Sequence, residues 1–304
     1  MPGIGYILAV DWDSLSERLP AWKRIFDADA YAAFMEEVAQ ALSAHPERHE
    51  LHADHVRLDG WDLPLLPLAE ECAALPRAEW SARVRSLLEQ RSAEAKLGRE
   101  LDAVRGDFTK ASRILKLRVQ RSVSANTISA PIAGGLHAVL VLDLPSFVTP
   151  VRPADLASWE KPAPELVSLA IENVKGQEHV ELKPLEVAGA RIFAVSGLSP
   201  FVATLGLAAD DLLGAPGPLG ALVAMPSQHI LLCHSIAAKS SLKALEAMAA
   251  GSLQAFEGGP SPLSPDLFWK VSDRFVALPV RRENGEVKCE LPREFDERVV
   301  SQLS

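Results

Sequence analysis

The chain has only three cysteines, Cys72, Cys233 and Cys289, in 304 residues. They lie far apart, so the close spacings of a zinc site or a redox pair are absent. An odd, sparse set reads as reduced thiols in a cytoplasmic protein. Basic residues are also short, with 31 Lys and Arg against 40 Asp and Glu and a net charge of −9. That balance disfavours general nucleic-acid binding, which needs a basic face to neutralise phosphates. No uninterrupted apolar run approaches the ~20 residues of a membrane span. The richest stretch, Ile128–Leu144, is broken by Pro131, Gly134, Gly135, His137 and Asp143. The opening MPGIGYILAVDWDS has no basic segment before its short apolar run, so no secretory signal is read there. Catalytic motifs are missing too. GAPGPLGA around Gly217 has glycines but two prolines and no following lysine, unlike a phosphate-binding loop. Neither a G-x-S-x-G elbow nor an H-E-x-x-H helix occurs.

What remains is an ordinary globular composition, 48% hydrophobic and 23% charged, long enough for about two domains. Ile4–Val10 reads as a short strand. Asp27 or Asp29 caps a helix to about Ser43, with Tyr31, Phe34, Val38, Ala41 and Leu42 on one face and His45-Pro46 as its end. Glu50–Leu58 and Trp61–Leu66 flank Asp59-Gly60, a hairpin signal. A helix starts near Leu68, and another, Ala78–Leu97, stops at Gly98. Farther on, Leu136–Leu144 is a buried strand and Ser146–Val151 pairs back onto it. Pro153 opens a short helix through Trp159, and Pro162 and Pro164 start the next, capped by Lys175 and Gly176. Three more hairpins are expected, around Ala188-Gly189, Pro226-Ser227 and Asn284-Gly285. The last joins Arg274–Arg281 to Glu286–Leu291. Helices from Ser199-Pro200 to Leu213 and over Ser241–Phe256 lie between them. Hairpins interleaved with helices predict an α+β fold with antiparallel or mixed sheets. The chain divides into a small α+β unit over 1–98, a basic connector and strand over 99–133, and a larger α+β domain over 134–304.

LVLDLPSFVTPVRPADLASWEKPAPELVSLAIENVKG resembles the YtpQ-like bacterial proteins, a family of unknown function. Asp143, Leu156, Trp159, Ala170 and Asn173 sit at matching places. SPFVATLGLAADDLL, ALVAMPSQHILLCHS and SPLSPDLF resemble the family's later helix, its proline-containing hairpin and its C-terminal helix start. The likeness runs over roughly 28–285 and departs at Pro226-Ser227-Gln228-His229. It implies a fold and supplies no reaction.

Few residues present chemistry. In HELHADH, His49, His52 and His55 are metal-ligand types, but on a strand His49 and His55 share a face that His52 opposes. His229 and Cys233 share a strand face about 13 Å apart, too far for a nucleophile pair. Asp143 ends an apolar strand, with His137 on its face farther along, and these two are the candidate catalytic residues. Asp210-Asp211 reads as a solvated acidic pair. Lys110, Arg113, Lys116, Arg118 and Arg121 form a basic run, with Lys116 and Arg118 on one side of an alternating strand. Such residues commonly protect a sheet edge; as a docking strip, Lys116 and Arg118 would bind an acidic protein partner. The sequence therefore points to a non-enzymatic binding protein without metal or cofactor. The alternatives are an enzyme centred on Asp143 and His137, or a ligand sensor with an interdomain pocket.

Overall fold

A computed structural model describes Trp22 and residues 25–45, 48–58, 61–214 and 217–303. The expected strand Ile4–Val10, the terminating Pro46 and the turn Asp59-Gly60 lie outside these residues. The chain forms two compact units, 1–103 and 104–304.

In the first unit, α1 (Ala28–Ser43) is capped by Asp27, whose carboxylate accepts from the Ala30 N–H at 2.8 Å. It buries Tyr31, Phe34, Met35, Val38 and Leu42. Three antiparallel strands follow, β1 (His49–Leu51), β2 (His55–Leu58) and β3 (Trp61–Pro64). The expected strand over 50–58 is thus broken at residues 52–54. Next come α2 (Leu66–Ala73) and α3 (Arg77–Arg105). Gly98 does not end α3. A glycine stops a helix by taking positive φ, and Gly98, like Gly176 later, stays helical among good helix formers. Trp22, Phe26, Phe34 and Trp80 build an aromatic core, with Trp22 edge-on to Tyr31 at 5.4 Å.

The second unit has two main sheets. After α4 (Phe108–Ile114), β4 (Leu115–Gln120), β5 (Ser129–Pro131), β6 (His137–Asp143) and β7 (Val148–Pro150) form the smaller one, centred on β6. The run expected as a connector therefore supplies two strands and a helix to this unit. Leu140 and Leu142 on β6 are fully buried. The free edge of β4 is closed by side chains. Asn173 of α6 (Ala163–Gln177) donates to the carbonyls of Ser112 and Leu115, and the Thr204 hydroxyl donates to that of Leu117. Before α6, α5 (Pro153–Trp159) is pinned by Asp155. Its buried carboxylate accepts from the Arg152 backbone N–H and side chain and lies 3.4 Å from Arg105. Burial alone would raise its pKa, but the Arg152 hydrogen bonds and the Arg105 charge outweigh that and hold it below the usual range.

The larger sheet has six antiparallel strands. β8 (Glu181–Val187) and β9 (Ala190–Ser196) meet at a turn where Ala188 and Gly189 both take positive φ. β10 (Ala221–Ser227) and β11 (Ile230–Ser235) follow, then β12 (Leu267–Val271) and β13 (Arg274–Leu278). The spatial order is β13-β12-β10-β11-β9-β8. Pairing continues through Ser227, so the turn falls at Gln228-His229, not at Pro226-Ser227. The helix start that the resemblance implied at SPLSPDLF, residues 261–268, is corrected. Leu267, Phe268 and Trp269 are buried β-formers inside the sheet, and Asp266 accepts from the Val280 N–H instead of capping a helix. The expected strand Arg274–Arg281 is split at Pro279. β13 pairs with β12, while β14 (Val280–Glu283) pairs with β15 (Glu286–Cys289) across Asn284-Gly285. The expected helix from Ser199 is a 3-10 segment, Val202–Ala208, followed by α7 (Ala209–Leu213). It lies close against the sheet, where a Cβ on Gly206 would come within 2.9 Å of Leu231. α8 (Ser241–Gly258) covers the opposite face, burying Leu245, Met248, Ala249 and Leu253. Hairpins and helices thus combine into an α+β fold, as the pattern predicts. No helix among the described residues is long and apolar enough to cross a membrane.

Candidate functional site

Lys116 is not the exposed cation that alternation predicts. It is 6% exposed, and its Nζ donates to Asp143 Oδ2 at 2.8 Å and Glu178 Oε1 at 2.5 Å, 4.7 Å from the Phe201 ring centre. Burial alone would lower its pKa, but the two carboxylate hydrogen bonds outweigh that and raise it, so the ammonium stays charged. Arg118 donates to Gln228 Oε1 at 2.9 Å. With Arg118 on the same face, the group has two positive and two negative charges. Alternation failed here because other elements cover both faces of β4: Phe201 and Gln228 come from segments flanking the larger sheet. The edge protection attributed to the basic residues is supplied by Asn173 and Thr204. Asp143 is thus occupied by Lys116. His137 shares its face six residues away, about 20 Å at ~3.3 Å per residue, and the two do not meet.

The histidine run is arranged differently from the strand expectation. The break at 52–54 lets His52 and His55 stack, ring centres 4.2 Å apart and planes 9° from parallel. Their Nε2 atoms lie 3.7 Å from Glu50 and Asp62 respectively. A metal binds imidazole in the ring plane along the nitrogen lone pair, so parallel rings cannot converge on one ion. Among the described residues no group of three or more His, Cys, Asp or Glu side chains is arranged to hold a metal.

Asp210 and Asp211 are not an idle solvated pair. Asp210 holds the buried Lys270, and Asp211 meets Lys175 at 2.7 Å. His229 turns its Nδ1 to the Ser199 carbonyl at 3.1 Å. Burial raises the thiol pKa of Cys233, and likewise pushes Cys72 to about 11 and Cys289 to about 12. None of the three is therefore a thiolate near neutrality.

The sequence reading passed over His234 and Ser241. Ser241 Oγ lies 2.9 Å from His234 Nε2, and His234 Nδ1 lies 2.7 Å from the Arg191 carbonyl oxygen. The carbonyl can only accept, so Nδ1 carries the proton and Nε2 accepts from Ser241. This is the arrangement of an activated serine. Both residues are buried, however, and Ser241 Oγ also accepts from the Ala237 N–H, so the pair ties the start of α8 to β11.

One concavity among the described residues is apolar. Between α8 and the edge of the larger sheet lies a groove of about 310 Å³. Its floor is Leu185, Val187, Ile192, Ile230 and Leu232, and its wall is Ala247, Met248, Gly251 and Ala255 of α8. Ala247, Gly251 and Ala255 repeat every four residues, so they fall on one helix face, and their small side chains leave the space open. Leu185 remains 45% exposed at the mouth. β8 is the outer strand, yet it resists strand addition. The two-residue turn makes Val187 and Ala190 a hydrogen-bonded pair. By alternation, residues 182, 184 and 186 direct their backbone groups outward, and position 184 is proline, without an N–H. A signal for this site was present in the sequence as the A-x-x-x-G-x-x-x-A repeat within the inward-facing helix. No family model, no curated protein and no solved structure matches the chain.

Proposed function

We propose that this chain is a cytoplasmic, non-catalytic binding protein of the YtpQ-like kind, and that it holds apolar groups in the groove between α8 and β8. The groove itself carries the reading. All nine lining residues are apolar and form one contiguous patch that opens at Leu185, and it is a contiguous apolar patch, not a single exposed leucine, that marks an interaction site. The commitment of Asp143 to Lys116 and of the buried Ser241 hydroxyl to His234 and the Ala237 N–H supports binding over chemistry. The test is Gly251→Leu. A Cβ there meets only Leu232 Cδ1, at an ordinary 3.7 Å, and Leu is a better helix former than Gly, so the variant folds with its groove filled. Wild type should enhance anilinonaphthalene sulfonate fluorescence saturably, and Gly251→Leu should abolish this at unchanged stability. Equal enhancement by the two proteins would place apolar binding elsewhere.

A further inference from the structure

We infer that the occupant of the groove is an amphipathic helix of a partner polypeptide, docked through two apolar side chains about one to two turns apart; this rests on the binding function proposed for the groove. Size sets the number of anchors. An apolar cavity of roughly 150 Å³ accepts one benzene, so about 310 Å³ takes two groups of that size. Length sets their spacing. The wall from Ala247 to Ala255 rises about 12 Å at ~1.5 Å per residue, which matches anchors at i and i+4 or i and i+7 of a facing helix. The small residues at 247, 251 and 255 let a second helix backbone approach α8 closely. An added strand is the poorer fit, because Pro184 leaves a gap in the outward hydrogen-bonding row of β8.

The rim argues against a lipid. Lys183, on the groove face of β8, pairs with Glu181 at 2.9 Å. On α8, Lys243 pairs with Glu246 at 2.9 Å, and Glu257 pairs with Arg282 at 3.0 Å. Each of these cations stands beside a carboxylate, so these rim residues present alternating signs and not the basic cluster that a fatty-acid or phosphate head would seek. The lining likewise has no polar side chain to orient a polar small molecule. A rim of both signs around an apolar strip suits the mixed flanks of an amphipathic helix.

The experiment is selection from a displayed library of helical peptides with randomised positions, against the full chain, with dodecanoate tested in parallel by displacement of anilinonaphthalene sulfonate. The expected peptides carry large apolar residues at i and i+4 or i+7 and displace the dye. They should bind Gly251→Leu at least ten-fold more weakly and retain affinity for Ala250→Leu, which adds the same bulk on the exposed face of α8. Failure to enrich such peptides, or peptides that bind Gly251→Leu equally, overturns the inference. If dodecanoate alone displaces the dye, the groove binds acyl chains: the helix proposal fails while the binding function stands. If the dye itself does not bind the groove, both fall.

Discussion

Two sheet edges in the second unit are finished in opposite ways. The edge of β4 is closed from within, because Asn173 and Thr204 take up the carbonyls of Leu115 and Leu117, and Lys116 is buried between two carboxylates. The edge of β8 carries no described strand or helix on its outer side. It is blunted only by Pro184 and surface charges, and an apolar groove opens beside it. A fold that needed both edges covered had the means to cover both. The contrast marks the β4 side as architecture, while the β8 side is where the groove proposed to bind apolar groups opens.

The largest effect should come from the closed side. Lys116→Met leaves Asp143 and Glu178 without their cation, and stability should fall by ~3–5 kcal/mol in urea denaturation. Adding Glu178→Gln should recover part of the loss. A midpoint unchanged from wild type would remove the distinction between the two edges. Leu140→Ala, in the strand that β4 pairs with, should cost ~2–5 kcal/mol by the same measurement, since the side chain is fully buried. Asn173→Ala should cost ~1–3 kcal/mol, because it strips the carbonyls of Ser112 and Leu115 of a donor.

On the open side the expected effects are smaller. His234, beneath the start of α8, has its pKa lowered, chiefly by burial, against a smaller opposing effect of its bond to the Arg191 carbonyl. The folded state therefore refuses a proton that the unfolded chain accepts. Stability should decline as pH falls below the ordinary histidine value of about 6.5, until the lowered folded value is reached. His234→Gln should flatten that part of the stability profile; an equal slope in both proteins would show that other groups govern it. Smallest of all, Lys183→Ala on the rim should change stability by less than ~0.5 kcal/mol, and a larger loss would mean that the β8 edge is also structural.

The uneven legibility of the chain follows from the range of the interactions involved. Turns were readable where two adjacent residues decide the backbone, as at Ala188-Gly189 and Asn284-Gly285, and α8 was readable from its own repeat. Glycine misled at Gly98, where its freedom to take positive φ went unused. Proline did break the run at Pro279, but only the sheet shows that its halves pair with different partners. Of the candidate residues, Asp143 and Lys116 were read as separate possibilities, an acid and a docking cation, and the structure joins them in one ion pair. Ser241 and His234 gave no signal, because neither residue type is unusual alone and the bond between them spans a strand, a loop and a helix start.

The sequence by itself determined the alternation of hairpins and helices, and with it the α+β class, because turn dihedrals and apolar periodicity are local properties of the chain. Only the tertiary structure decided which faces were covered. It buried Lys116 by bringing Phe201 and Glu178 against β4, put β12 inside the larger sheet, and left the small side chains of α8 facing open space. A strand pattern states that two faces differ. What packs against each depends on segments tens of residues away, so the charged cluster and the apolar groove emerge only when those segments meet.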